Sequence, residues 1–203
     1  MVRMRGAMQQ VDENGPELML LQHSDVITKT RRHGTSSFLL GEDEIAKRGI
    51  EIVETDRGGD VTFHGEGQLV GYLVKRLKDS MDLGGYVRDL EASLLRATHV
   101  LGLPNAMRVE GKTGVWIPQS EGQNPRKLIA IGVGVSKGVT RHGFALNMTT
   151  DLEKFTECIV PCGLDGFAAT SLERELGALA PALERICEVV THEICETFHF
   201  REM

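Results

Sequence analysis

The chain has 203 residues, 41% hydrophobic and 26% charged, with a net charge of −6; this is the size of one domain and an ordinary globular composition, which excludes wholesale disorder and a fibrous repeat. The acidic balance and the few, scattered aromatic residues argue against the basic, ring-bearing surface of most nucleic-acid binders. No apolar run approaches the roughly 18 residues of a membrane-spanning helix, and the arginines near the N-terminus have no apolar core behind them, so no secretory leader is expected and the expected compartment is the cytoplasm.

In chain order, residues 1–15 are polar and predict a poorly ordered or briefly helical segment. The apolar run at 17–22, bounded by Gly15-Pro16, predicts a buried strand. A short helix over 42–48 stops at Gly49, and alternation over 50–54 predicts a strand. Residues 57–68 are rich in glycine and polar side chains, and strand character returns over 69–77. The clearest helix is 86–101, where Val87, Leu90, Leu94, Leu95, Thr98 and Leu101 share one face and Gly102 ends it. A short strand at 115–117, a polar hairpin loop at 118–126 and two long strands at 128–135 and 139–148 follow. The last helix, 181–198, carries Ala182, Ile186, Val190, Ile194 and Phe198 at i, i+4 spacing. Strands in runs with a few helices predict one α+β domain over 1–203, a mixed sheet with helices against it.

Three stretches could carry chemistry. In residues 55–68 four glycines surround Arg57, Thr62 and His64; glycines let backbone amides converge on a ligand, although a wide surface loop would also use them. The stretch is neither a dinucleotide fingerprint nor a P-loop. Lys127 opens an otherwise apolar strand; it is a solvated strand end or, turned inward, an acid/base candidate. Arg141-His142-Gly143-Phe144-Ala145-Leu146-Asn147 places a histidine and an asparagine on a strand, where both are more commonly satisfied structural residues than ligands. Of the four cysteines, Cys187 and Cys195 read as small apolar filler on the last helix. Cys158 and Cys162 lack metal-site spacing, and Cys162 sits at a Pro161-Cys162-Gly163 turn that could present or merely bury it. His192-Glu193-Ile194-Cys195-Glu196 lacks the second histidine of a zincin helix, so no metal is expected.

Taken in order, residues 57–72, Gly114-Val115-Trp116, Lys127-Leu128-Ile129-Ala130-Ile131-Gly132-Val133, residues 142–147, Val160-Pro161-Cys162-Gly163-Leu164 and Thr170-Ser171-Leu172 resemble the lipoyl(octanoyl) transferase B family over roughly residues 17–175. The resemblance implies a domain similar to biotin and lipoate protein ligase catalytic domains. It implies transfer of an octanoyl group from acyl carrier protein to one lysine of a lipoyl domain, with no cofactor and no metal. Cys162 would be the acyl-thioester nucleophile, with Lys127 beside it favouring the thiolate. Arg57, Gly58, Gly59, Asp60, Val61, Thr62, Phe63, His64, Ala130, Ile131, Gly132, Gly143, Phe144 and Ala145 would line the acyl-binding site. Implied partners are octanoyl-acyl carrier protein and lipoyl-domain proteins, namely dehydrogenase-complex E2 subunits and the glycine cleavage H protein. No nucleic acid or membrane is implied, and the expected state is a monomer.

The sequence departs from the family at His23-Ser24-Asp25-Val26, where His-Pro-Pro-Val is usual, at Glu66, which replaces a proline, and at Phe63, which replaces a tyrosine. Basic runs Lys29-Arg31-Arg32 and Lys75-Arg76-Lys78 are either docking patches for acidic partners or ordinary solvated charge. Three other readings compete. An ATP-dependent ligase would need no cysteine. A non-catalytic acyl- or lipoyl-binding module would form no adduct. A cysteine hydrolase using His64 or His142 would release free fatty acid.

Overall fold

The structure, a computed structural model, describes residues 15–30, 38–78, 82–159 and 166–199. The expected N-terminal turn, the Arg31-Arg32 half of one basic run and the Pro161-Cys162-Gly163 turn lie outside the described residues.

Two sheets form. The larger holds β1 (Glu17–Leu21), β5 (Gln68–Val74), β9 (Val139–Asn147), β8 (Arg126–Ser136), β7 (Lys112–Ile117) and β6 (Met107–Val109), in that spatial order. Every pairing in it is antiparallel. The smaller holds β3 (Glu51–Thr55), β2 (Val26–Thr30) and β4 (Thr62–His64). Here β2 and β3 run parallel and β2 and β4 antiparallel, so the mixed character expected from the sequence resides in this sheet. Parallel neighbours need a crossover, and α1 (Glu42–Lys47) lies in the connection between them.

Residues paired across an antiparallel ladder share a face, so register sorts the large sheet. Leu69, Leu146 and Ile129 fall on one rung, and Gly71, Phe144 and Ile131 on the next. This face packs against α2 (Leu83–Val100) and the last helix, α5 (Leu183–Phe198), through Leu90, Leu94, Val190 and Ile194, all fully buried. Each such side chain contributes roughly 1.5–3 kcal/mol of burial. Gly71 is required there, because a Cβ on it would sit 2.1 Å from the Phe144 ring.

The small sheet has its own core of Ile27, Ile45, Ile50, Val61, Phe63, Cys158, Ile159 and Ala169. It is joined by α3 (Leu152–Cys158) and by an antiparallel bridge between Phe38 and Ile159. α4 (Leu172–Leu176) follows, capped by Ser171, whose hydroxyl accepts from the Arg174 amide at 3.2 Å. Cys158, Cys187 and Cys195 form no disulfide among the described residues; Cys158 and Cys195 are buried and Cys187 is half-buried against the main core.

Candidate functional site

The opposite face of the large sheet builds the site by omission. Val70, Ala145 and Ala130 share one rung, and Tyr72, Gly143 and Gly132 the next. The strand alternation Ile129-Ala130-Ile131-Gly132-Val133 thus spends its bulk on the core face and leaves alanine and glycine on the other. The space between this small-residue stripe and the small sheet is a cavity of about 620 Å³, within the roughly 300–1,000 Å³ of small-ligand sites. Gly143 has no alternative here: a Cβ on it would lie 2.1 Å from the Gly71 carbonyl.

Beyond Ile129 the β7 pairing ends, and the glycine loop takes over the edge of β8. The Gly58 amide donates to the Val133 carbonyl at 2.7 Å. Arg57 lies against Gly132 and is fixed by donating to the Thr28 hydroxyl at 3.1 Å and the Thr28 carbonyl at 2.8 Å. Past this edge the cavity reaches Leu83 and Val87 of α2 and, from the core face, Ile131 and Phe144.

Lys127 lines the cavity at the start of β8. Its ammonium stands 4.4 Å from the centre of the Trp116 ring, a cation–π contact. Gly114 lets β7 approach, since a Cβ there would fall 2.4 Å from the Ile129 carbonyl. The Lys127 amide donates to Ala168 at 2.8 Å, and the Thr170 amide donates to the Lys127 carbonyl at 2.9 Å. The chain that follows residues 160–165 is therefore clipped alongside Lys127.

Three histidines, His23, His64 and His142, stand together on the cavity lining. His64 is half-buried, and desolvation lowers its pKa to about 4; its Nδ1 lies 2.7 Å from the Gln68 side-chain oxygen. His142, at φ +61°, bonds Asp56 at 2.8 Å. Burial lowers its pKa, although Asp56 opposes the shift. Desolvation works against the Asp56 carboxylate, but the His142 hydrogen bond and the charge of Arg141, 2.6 Å away, prevail and hold its pKa down. His23, also lowered by burial, bonds the Tyr72 hydroxyl at 2.8 Å.

The cavity brings together Lys127, Arg57, Gly58, Gly59, Asp60, Val61, Thr62, His64, Ala130, Ile131, Gly132, Gly143, Phe144 and Ala145. Phe63 is corrected: side chains alternate on β4, so Thr62 and His64 line the cavity while Phe63, 1% exposed, turns into the second core. Cys162 lies outside the described residues. Glu66 is exposed on a neighbouring depression with Asp25, Asp151 and Lys154, apart from the cavity lining. Sequence reasoning missed His23, Thr28 and Tyr72 as lining residues and offered His142 only as the base of a hydrolase. Reading 68–72 at period two would have placed Tyr72 on the face of Gln68 and Val70.

Among the described residues no group of three His, Cys, Asp or Glu side chains is placed to hold a metal ion, and no helix is long and apolar enough to cross a membrane.

The lipoyl protein ligase A/B catalytic domain family matches residues 3–195. An octanoyltransferase of Koribacter versatilis is 43% identical over 99% of this chain and 76% of its own length. One of Mycobacterium ulcerans is 45% identical over 89% of this chain and 75% of its own. Among solved structures, the bipartite lipoate protein ligase of Thermoplasma acidophilum superposes with a TM-score of 0.76 at 19% identity, covering 100% of this chain and 82% of that one. An ATP-bound lipoate-protein ligase A gives 0.75 at 19% identity, covering 100% and 84%. These two likenesses concern the fold.

Proposed function

The chain belongs to the lipoyl protein ligase A/B catalytic domain family, and we propose that it is an octanoyltransferase of protein lipoylation, acting as one catalytic domain over residues 1–203. The observation that carries this reading is the alanine–glycine stripe running beside Lys127. A groove floored by backbone and methyl groups suits an aliphatic tail. Seven buried carbon groups at ~0.8 kcal/mol each supply roughly 5–6 kcal/mol. The sequence relatives at 43% and 45% identity are octanoyltransferases, which favours acyl transfer over ATP-dependent ligation on the same fold.

In the proposed cycle Cys162 attacks the thioester of octanoyl-acyl carrier protein, and the acyl group passes from one sulfur to another. A lysine amine of a lipoyl domain then takes it as an amide. The first exchange is near thermoneutral and the second runs downhill, so no nucleotide is consumed. Lys127, held by Ala168 and Thr170 a few residues after Cys162 in the chain, favours the thiolate. The acceptor partner is a protein; E2 subunits and the H protein are the proposed acceptors, and the proposed working state is a monomer.

Incubation with octanoyl-acyl carrier protein, without ATP, should add one octanoyl mass that hydroxylamine removes. Cys162→Ser should abolish it. An adduct that requires ATP, or one retained in Cys162→Ser, would overturn the reading.

A further inference from the structure

Behind His64 runs a buried chain of amides whose polarity is fixed from one end. The Thr170 carbonyl has no proton, so the Asn147 side-chain nitrogen, 2.9 Å away, must donate to it. That turns the Asn147 oxygen toward Gln68, whose nitrogen donates to it at 2.9 Å and to the Phe63 carbonyl at 3.3 Å. The Gln68 oxygen is left as the acceptor, 2.7 Å from His64 Nδ1, which must carry the proton. Reversing either amide would set oxygen against a carbonyl oxygen in a buried place, since Gln68 and Asn147 are 2% and 5% exposed. His64 itself lines the cavity.

We propose that Gln68 and Asn147 are positioning residues that hold His64 as its Nδ1–H tautomer, so that Nε2 accepts an N–H of the incoming lysine amine during acyl transfer. This rests on the reading above. In that step the neutral amine nitrogen bonds to the acyl carbon and the carbon–sulfur bond breaks with its electron pair on sulfur. One amine proton ends on that sulfur, giving thiol and amide with no co-reactant. The other N–H stays on nitrogen, and it is the one Nε2 receives, which aligns the nitrogen lone pair with the acyl carbon. Burial, with His23, Arg57 and His142 facing the ring, disfavours the imidazolium and keeps that lone pair available.

Two measurements decide it. In wild-type protein labelled with nitrogen-15 histidine, the His64 ring should show a protonated Nδ1 and a bare Nε2 at neutral pH. In single-turnover kinetics, acylation by octanoyl-acyl carrier protein is followed separately from aminolysis by a lipoyl domain. His64→Asn keeps a donor for Gln68 but lacks the distal acceptor; its aminolysis should fall about tenfold or more relative to its acylation. His64→Gln, whose amide oxygen reaches the Nε2 position, should recover part of that loss. Gln68→Met should leave a mixed tautomer and the same skewed loss. A proton on Nε2 in the wild type, an equal loss in both half-reactions of His64→Asn, or no recovery in His64→Gln would overturn the inference. A wild type that never acylates overturns the transfer reading as well, and is thereby told apart from failure of this inference alone.

Discussion

Ala130 is the position where the groove can be narrowed without disturbing the sheet, because it already carries a Cβ on the cavity face. Ala130→Leu should lower kcat/KM for octanoyl donors about tenfold or more while butyryl donors lose less, read from rates across a series of acyl thioesters. Gly143 behaves differently. Its Cβ would meet backbone, the Gly71 carbonyl at 2.1 Å, so Gly143→Ala should cost at least about 1–3 kcal/mol of stability, seen as a lower urea midpoint. His64 links the site to pH. Its pKa of about 4 in the fold lies below the ordinary histidine value of 6.5, so the unfolded chain binds more protons between those values. Its contribution is therefore present above about pH 6.5 and is lost as pH falls through 4, to a total of roughly 3 kcal/mol. Urea titrations across that window should show the slope in wild type and a shallower one in His64→Asn.

Helix α2 begins at Leu83, earlier than its apolar stripe suggests, because Asp82 accepts a hydrogen bond from the Gly85 amide at 2.7 Å. Gly84 and Gly85 are poor helix formers, so the cap and not propensity sets the start. Asp82→Ala should cost about 1 kcal/mol, measurable as a drop in Tm. The long strands β8 and β9 and both long helices were legible, since their periodicity is a local property. Strand β2 was not. Thr28, Lys29 and Thr30 carry little apolar signal, and the strand exists because β3 and β4 flank it. β4 was hidden for a related reason, being three residues inside a glycine-rich stretch. The site was legible as motifs, but which side of a strand each residue faces had to come from register; Phe63 shows the difference.

At the scale of the molecule, two sheets meet over a cavity, and the two long helices α2 and α5 close the far face of the larger one. Lys29, in one of the basic runs, is engaged by Glu42 at 2.8 Å. Lys75 and Arg76 lie at the end of β5, with Arg76 donating to the Lys137 carbonyl at 3.1 Å. On an acidic chain such a patch can act only at short range. Charge reversal at Lys75 and Arg76 should raise KM for octanoyl-acyl carrier protein several-fold and flatten its salt dependence; an unaltered salt profile would place donor docking elsewhere. Finally, packing shields three sulfurs. Burial pushes the Cys158 and Cys187 thiols upward, and Cys195 is buried on the last helix. A gentle alkylating reagent at neutral pH should meet these three slowly, so the native fold itself acts as a protecting group, and any fast single labelling is assigned to the fourth cysteine of the sequence, Cys162, without any cysteine being engineered away.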